Sequence, residues 1–262
     1  MKDNFSSVAV EYSNFRPSYP TAMYDYIMNL CDHKVSAWDC GTGNGQVAMH
    51  LANHFQRVYA TDISQEQIDN AYWDDRITYN VEAVESCSFP DRSFDLITVA
   101  QAVHWFDFDK FYAQVRRTLK PKGLLAIIGY GLIRTDEAVD IVLLELYKNI
   151  LGEFWDHERK YIDEQYKTIP FPFHEAEIPG LTIEQEWTLD QLLGYLHTWS
   201  AVHHYQKKNK IDPIQKIQAK LTKAWGKDIK KKIEFPIYLR LGKLQAFTKP
   251  VIIEQEQEFP LD

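Results

Sequence analysis

The sequence predicts an α/β fold with a doubly wound, mostly parallel sheet, and three observations lead to this prediction. A glycine-rich turn at residues 41–45 joins an apolar run that ends at Asp39 to a helical pattern that begins at Val47, as in the strand–turn–helix units of such sheets. Apolar runs and helical patterns then alternate as far as residue 130. Residues 95–100 are apolar enough for a strand covered on both faces, which is typical of the centre of a parallel sheet.

The composition limits the class of protein. The chain has 262 residues, of which 45% are hydrophobic, and this is enough for one domain with a full core and a cap. The net charge of −8 disfavours nucleic acid as a partner, and the basic run at residues 227–232 is interpreted as a solvated helix face. The three cysteines are odd in number and lack metal-ligand spacing, so we expect free thiols in a reducing compartment and no metal site. We expect a cytoplasmic protein without a membrane segment, because no signal peptide opens the sequence and no apolar run reaches spanning length.

The first half of the chain supplies four strands of the predicted sheet. Residues 1–20 carry aromatic side chains, Arg16 and two prolines that prevent a continuous helix. Either their rings pack on the core, or this segment is a lid that brings Arg16 and Tyr19 to the substrate. Helical spacing predicts helices over 21–30 and 46–54, and apolar runs predict strands over 35–40, 57–62, 77–81 and 95–100.

The second half closes the sheet and adds a cap to a domain predicted to span residues 1–245. We predict a helix over 108–119 that ends at Lys120 and Pro121, a strand over 124–130 and a helix over 136–155. Residues 152–232 are rich in loops and aromatic side chains, which indicates an inserted cap with helices over 190–197 and 211–225. Alternating patterns predict strands over 183–187 and 232–241, the second at an edge or bulge because it contains Pro236. Residues 246–262 are predicted to form an acidic tail.

The turn after the first strand indicates the kind of ligand. Its glycines lie at 41, 43 and 45, whereas a dinucleotide fingerprint would place a third glycine at the position of Gln46. Asp39 would repel a pyrophosphate but could hold a cationic group. The turn therefore favours a ligand with an amino acid end.

The pattern acid-x-Gly-x-Gly-x-Gly over residues 39–45 resembles motif I of the class I S-adenosylmethionine-dependent methyltransferases. The Leu-Lys-Pro-x-Gly at 119–123 is similar to another feature of that family. His104, Trp105 and Phe106 resemble a motif of its trans-aconitate methyltransferase-like members, in the methyltransferase type 11 group. The resemblance implies S-adenosylmethionine as the cofactor. It also implies a Rossmann-like sheet of seven strands, of which the last is antiparallel.

Asp62 ends the second strand, where an acid in a nucleotide-binding unit accepts hydrogen bonds from ribose hydroxyls. It could instead cap the next helix, but Ser64 with Gln67 fits a capping box better, so we favour the ribose role. By position, the resemblance places Val84 and Glu85 beside the adenine, although Glu85 could also be a surface acid. The expected cofactor-binding residues are Asp39, Gly41, Thr42, Gly43, Gly45, Asp62, Ile63, Val84, Glu85 and Gln101.

A polar and aromatic cluster follows the fourth strand, where open α/β sheets place their active sites. A lone histidine is more often structural, but this position favours His104 as the catalytic residue. The resemblance implies a small acid as methyl acceptor. A carboxylate acceptor needs no general base, whereas a hydroxyl or amine acceptor would need His104. The expected substrate-binding residues are Arg16, Tyr19, His104, Trp105, Trp199, Tyr238 and Arg240.

Three other functions stay open at this stage. A nicotinamide-dependent oxidoreductase would need a glycine at position 46. A methyltransferase for tRNA or protein would need a basic approach surface, against which the acidic balance speaks. A non-catalytic S-adenosylmethionine-binding protein would keep the glycine-rich turn but lose the polar residues at 101–107. The favoured function is methyl transfer to a small molecule, with a small carboxylic acid as the expected acceptor.

Overall fold

The computed structural model describes residues 15–246, and within this range an eight-stranded sheet carries the fold. Its order is β3-β2-β1-β4-β5-β8-β6, and β7 also pairs with β8. The first five strands are parallel, and β8 is antiparallel to β5, β6 and β7. The strands are β1 Ser36–Cys40, β2 Arg57–Asp62, β3 Ile77–Val81, β4 Phe94–Ala100, β5 Leu119–Tyr130, β6 His174–Glu175, β7 Thr182–Trp187 and β8 Lys231–Lys243.

This topology confirms the predicted α/β fold, with its mostly parallel sheet and antiparallel last strand. The sheet has one strand beyond the seven predicted, the two-residue β6, which pairs with the end of β8. A pattern of two residues is too short to recognise in a sequence. The strand β5 begins at Leu119, five residues earlier than predicted, and a register shift separates its first pair with β4 from the others.

Nine helices of the described part surround the sheet. They are α1 Thr21–Leu30, α2 Gln46–Ala52, α3 Gln65–Asp69, α4 Phe108–Thr118, α5 Glu137–Leu144, α6 Arg159–Asp163, α7 Leu189–His197, α8 Ser200–Asn209 and α9 Gln215–Trp225. None of these helices within residues 15–246 has the length and apolar character that a membrane crossing requires.

Two helical regions differ from the prediction. The long helix expected over 136–155 ends at Leu144 and continues as a π-helical turn, Glu145–Ile150, in which Leu151 N donates to Leu146 O at 2.9 Å. The sequence analysis missed α8, because only three of its ten residues are buried apolar ones and its hydrophobic periodicity is therefore weak.

Three apolar clusters hold the layers together. One packs α1 and α2 on one face of the sheet, and another packs α4 on the opposite face. The third lies in the cap and joins α5, α7, α8 and α9 to β7 and β8. Since this cluster includes Val139, Val142 and Leu143 of α5, the cap's apolar contacts begin before residue 152, the predicted start.

The ends of the chain lie largely outside the described residues. Of the predicted lid at 1–20, the structure describes residues 15–20. Phe15 packs so closely on α7 that a Cβ at Gly194 would lie 2.4 Å from its ring. The predicted acidic tail at 246–262 is described only at its first residue.

Two strand features bear on how the sheet is closed. Pro236 lies where β8 changes partners, since residues 231–236 pair with β7 and residues 237–243 pair with β5.

The buried carboxylate of Asp95, on β4, connects the start of β1 with β5. Its Oδ2 accepts hydrogen bonds from Val35 N at 3.1 Å and Ser36 N at 3.0 Å, and it forms an ion pair with Lys120 Nζ at 2.8 Å.

Asp95→Ala is expected to lower the free energy of unfolding by about 2–4 kcal/mol, because two backbone donors and Lys120 lose their shared acceptor. Urea denaturation at pH 7 measures this loss. Asp91→Ala is the matched control. Asp91 pairs with Arg117 on the surface, and such an ion pair contributes under about 1 kcal/mol to the free energy of unfolding. Equal losses for the two variants would contradict the assignment of Asp95 as a structural tie.

Candidate active site

A cleft opens at the carboxyl ends of β1, β2 and β4, and it encloses about 970 Å³ counting its open mouth. It brings together most of the residues that the sequence assigned to the ligand, namely Arg16, Tyr19, Asp39, Gly41, Thr42, Gly43, Asp62, Ile63, Gln101 and Trp105. Arg16, Pro17 and Tyr19 of the predicted lid segment therefore line the cleft.

The glycine-rich turn shapes the floor of the cleft through its backbone. Gly43 has a φ of +56°, and a Cβ there would meet only Gln67 Oε1, at 3.7 Å, so its backbone is open to a ligand. Gly41 has a φ of +63°, and a Cβ there would lie 2.7 Å from the Cβ of Ala102. Glycine at this position thus allows the loop after β4 to approach the turn.

Asp39 provides a buried carboxylate at the end of β1. Oδ1 accepts a hydrogen bond from Thr98 Oγ1 and Oδ2 accepts one from Thr42 Oγ1, each at 2.6 Å. Burial raises the pKa of Asp39 to about 6, against the opposing effect of these hydrogen bonds and one from the backbone of Ala48. A positive group in the cleft would restore the charged form, as expected for a cationic amino group.

Asp62 lies on the wall of the cleft at the end of β2. Oδ2 accepts a hydrogen bond from Gly43 N at 2.8 Å, and Oδ1 accepts one from Ser64 N at 3.0 Å. Ser64 caps α3 by accepting from Gln67 N at 3.2 Å, as the sequence predicted. Each carboxylate oxygen can accept a second hydrogen bond, so Asp62 can hold the turn and still bind ribose hydroxyls.

The chemical character of the residues in the cleft matches the groups of S-adenosylmethionine. The buried acid Asp39 suits a cationic amino group, the open backbone at Gly43 allows close approach, and Asp62 suits a pair of hydroxyls. Apolar side chains line the same cleft at Ile63 and Phe106. We therefore propose this space as the cofactor site and refer to it as the cofactor cleft.

A second cavity of about 500 Å³, counting its mouth, adjoins the cofactor cleft. The two share Arg16, Gln101 and Trp105 as lining residues, so these three form the boundary between them. We refer to the second space as the acceptor cavity. Its other lining residues are His104, Trp155, Asp156, Arg159, Ile162, Trp199 and Ser200.

Gln101 lies at the boundary of the two cavities in a strained conformation, with a φ of +52°. Its Nε2 donates to Tyr130 O at 3.0 Å, and its Oε1 accepts from Tyr166 Oη at 3.3 Å. Tyr166 itself follows Gln165 in a turn where both residues have a φ of +59°. The sequence analysis missed this role of Tyr166, because the turn contains no glycine that would mark it.

His104 is buried and borders the acceptor cavity. Its Nδ1 lies 3.1 Å from Tyr166 Oη, and its ring packs against Trp105 with centroids 4.9 Å apart. Burial, with a smaller effect of the Arg159 charge, lowers the pKa of His104 to about 3. The imidazole is therefore neutral at physiological pH and is a weak proton acceptor.

Arg159 is the principal site residue that the sequence analysis missed. Its guanidinium packs over Trp155, 4.7 Å from the ring centroid, and its Nε donates to Tyr147 Oη at 2.8 Å. Within residues 15–246, its terminal Nη atoms donate no hydrogen bond to the protein. The cap carries no motif that would have identified this arginine, because its position depends on how α6 packs beneath the cavity.

Five of the residues that the sequence assigned to the ligands lie along neither the cofactor cleft nor the acceptor cavity. Arg240 binds Glu175 through two hydrogen bonds of 2.7 and 2.8 Å and donates to Tyr166 O and Ile169 O, so it fixes the 166–175 segment. Tyr238 is packed so that a Cβ at Gly131 would lie 2.1 Å from its hydroxyl. These contacts do not place Arg240 or Tyr238 at either space, and their assignment to the substrate stays a prediction.

The other three were expected to contact the cofactor. Val84 is buried in a short 3-10 turn, Val84–Ser86, and Glu85 accepts a hydrogen bond from Asp107 N at 3.2 Å. Gly45 caps α2 with a φ of +85°, and a Cβ there would lie 2.2 Å from Tyr79 Oη. Gly45 and Glu85 thus shape the neighbouring loops rather than the cleft itself.

Comparisons with known proteins identify the family of this chain. A protein family described as "methyltransferase domain" matches residues 38–127. A protein of Dictyostelium discoideum named as a methyltransferase is 34% identical over 92% of this chain and 95% of its own length. A protein of Saccharomyces cerevisiae named as an S-adenosylmethionine-dependent methyltransferase is 26% identical over 64% of this chain and 60% of its own length. A solved structure described as a type II methyltransferase from Anaeromyxobacter dehalogenans has a TM-score of 0.82 and 40% identity, and it covers 89% of this chain and 100% of its own.

Asp62→Ala is expected to weaken binding of S-adenosylmethionine about tenfold or more, because charge-assisted hydrogen bonds to the ribose are lost. Isothermal titration calorimetry measures this change. Asp69→Ala is the matched control, since Asp69 accepts from Gln65 on the exposed side of α3. Unchanged affinity in Asp62→Ala, or binding of NADH in place of S-adenosylmethionine, would contradict the cleft assignment.

The buried His104 is expected to make folding stability depend on pH. Its pKa of about 3 in the folded state lies below the value of about 6.5 in the unfolded chain, so only the unfolded chain takes up a proton as the pH falls below 6.5. This effect removes about 2 kcal/mol of stability between pH 6.5 and pH 5. His104→Gln should lack this component, and denaturant titrations of both proteins at pH 7 and pH 5 measure it.

The exposed His33→Gln is the control and should keep the wild-type change with pH, since solvent surrounds this residue in both states. An identical loss of stability in wild type and His104→Gln would contradict a neutral, buried His104.

Proposed function

The chain belongs to the class I S-adenosylmethionine-dependent methyltransferases, and from this premise we propose that it transfers the methyl group to a small carboxylic acid. Among the alternatives considered above, family membership removes the nicotinamide-dependent oxidoreductase and the non-catalytic binding protein. Acids of the trans-aconitate type belong to the proposed acceptor class.

The charge of the acceptor cavity carries the proposal. Two arginines, Arg16 and Arg159, line it together with one acid, Asp156, and His104 is neutral. The helix α8 begins at Ser200 on the same wall, and helix N-termini attract anions. A cavity with this balance favours an anionic acceptor.

Arg16 is held at the boundary of the two spaces by contacts from separate parts of the chain. Nη1 donates to Tyr130 Oη at 2.9 Å and Nη2 donates to Thr198 O at 3.1 Å, and the guanidinium lies 5.6 Å from the ring centroid of Tyr195. A rigidly placed guanidinium at this boundary can orient a carboxylate towards the cofactor cleft.

The protonation state of His104 argues for a carboxylate over a hydroxyl or an amine. A general base works best with a pKa near the operating pH, and the pKa of His104 is lowered to about 3. A carboxylate is already a nucleophile at neutral pH and needs no proton acceptor. His104 then contacts Tyr166 and Trp105 and holds them in place beside the acceptor, and it does not take a proton.

The remaining work of the protein is alignment and exclusion of water. S-adenosylmethionine, when bound, would supply a methyl group on a sulfonium to an acceptor oxygen, and its sulfur would keep the electron pair of the broken bond. Gln101, Trp105 and Arg16 separate the two spaces and can hold the acceptor against the cofactor. Proximity and alignment of this kind account for a large part of the rate in such displacements.

Incubation with S-adenosylmethionine and a panel of small mono-, di- and tricarboxylic acids is expected to yield methyl esters, which mass spectrometry identifies. The pH dependence of kcat should show no limb near 6.5, the unperturbed imidazole pKa, because no base is required. Acids whose carboxyl groups are already esterified are the matched control and should accept no methyl group.

His104→Gln separates this mechanism from general-base catalysis. On the carboxylate mechanism it should raise KM and lower kcat modestly. A loss of roughly 10²–10⁴-fold in kcat, together with a limb near pH 6.5 that only the wild type shows, would indicate a hydroxyl or amine acceptor and overturn the proposal.

A further inference from the structure

The acceptor cavity contains an acid that the proposed function leaves unexplained. Asp156 lies on its wall, and the Oδ2 atom of Asp156 is buried without a hydrogen-bond partner among residues 15–246. The imidazole of His204 lies nearby, with its Nδ1 atom 3.8 Å from this oxygen and in a 3.0 Å contact with Phe154 O. A buried acceptor atom without a hydrogen-bond donor lowers folding stability. In a binding site, such an atom indicates that the ligand supplies the donor.

Arg159 contributes an opposite charge three residues later. The backbone N of Arg159 donates to Asp156 O at 2.9 Å, which places the two residues in one turn. The Asp156 carboxylate and the Arg159 guanidinium line the same cavity without being paired to each other, and Arg159 is instead within 3.6 Å of Asp163. One short segment thus contributes a carboxylate and a guanidinium to the lining of the same cavity.

The position of this pair within the cavity is also informative. Neither residue lines the cofactor cleft, and the boundary is formed by Arg16, Gln101 and Trp105. Asp156 and Arg159 therefore face the part of the acceptor that does not receive the methyl group. Two indole rings, Trp155 and Trp199, complete this end of the cavity, with centroids 5.4 Å apart.

We infer that the acceptor carries a hydrogen-bond donor, a hydroxyl or an ammonium group, in addition to its acid group, and that Asp156 binds this donor while Arg159 binds an anionic group. The inference rests on the proposed function, since it describes the acceptor of the same reaction. It narrows the substrate class from small carboxylic acids to small hydroxy acids or amino acids. Asp156 is the specificity-determining residue in this assignment.

Two matched series of acids test the inference. The first is succinate, malate and aspartate, and the second is 3-phenylpropanoate, 3-phenyllactate and phenylalanine, whose ring can occupy the space beside the two indoles. Within each series the members differ only in a hydrogen, hydroxyl or ammonium group on one carbon. Calorimetric titration into the full-length protein saturated with S-adenosylhomocysteine measures their affinities without requiring turnover.

In at least one series, the hydroxy or amino member is expected to bind about tenfold or more tightly than the unsubstituted acid, on the scale of one charge-assisted hydrogen bond. Asp156→Asn is expected to reduce this preference to less than about threefold. Glu153→Gln is the matched control, because Glu153 lies on the same segment and pairs with Lys208 on the surface. It should leave the preference unchanged.

Equal binding within both series by the wild type, no binding of any of the six acids, or a preference that survives in Asp156→Asn would overturn the inference. The wild-type titrations decide it even if Asp156→Asn fails to fold. Product mass after incubation with S-adenosylmethionine tests the proposed function separately. Methyl esters formed without any preference would overturn only the role of Asp156, and a clear preference without methyl transfer to a carboxyl group would overturn only the carboxylate mechanism.

Discussion

The site depends on keeping one carboxylate, that of Asp39, out of water at the end of β1. A buried charge is tolerated only where donors surround it, and here the neighbouring elements supply them. Thr98 comes from β4, Thr42 from the glycine-rich turn and a backbone N–H from Ala48 of α2. The turn must therefore fold back tightly over Asp39, and the positive φ angles at Gly41 and Gly43 allow it to do so. The same fold exposes the backbone of Gly43 to the cofactor cleft.

The acceptor cavity depends on a different kind of constraint, which is contact between parts of the chain that are distant in sequence. Arg16 joins the N-terminal segment to Tyr130 at the end of β5 and to Thr198 at the end of α7. Tyr166 reaches Gln101 and His104 from a strained turn of the cap segment. Since the cavity exists only where these segments meet, its shape follows from the packing of the cap on the sheet, and cap residues can determine the acceptor without altering the cofactor cleft.

The sequence predicted part of the lining of each space, and the two constraints explain which residues it could place. Asp39, Gly43 and Asp62 lie at strand ends and in a turn whose geometry is local, so their spacing along the chain reports their position in space. Arg159 and Asp156 have no such spacing, because only the docking of the cap brings them to Arg16.

The residues that the sequence places in the site but that line neither space have the same origin. Arg240 is a charged residue on the last strand and was assigned to the substrate from its residue type. In the structure its guanidinium donates hydrogen bonds to Glu175 and to two backbone carbonyl groups. The helix α8 is also not predicted from the sequence. It is buried by packing within the cap, and its own sequence has no strong apolar stripe.

The two buried titratable groups of the site affect folding stability in opposite directions. The pKa of Asp39 is raised to about 6, so the folded state holds its proton more tightly than the unfolded chain, and stability falls as the pH rises from about 4 to about 6. The pKa of His104 is lowered to about 3, so stability falls as the pH drops below about 6.5. Between about pH 4 and pH 6 the two slopes largely cancel, although each group costs stability by itself. A cation beside Asp39 would offset the first cost, which is on the order of 3 kcal/mol at neutral pH. The hydrogen bonds to Asp39 thus compensate only part of the cost of its burial, a cationic cofactor would offset the rest, and stability and cofactor binding are linked through this carboxylate.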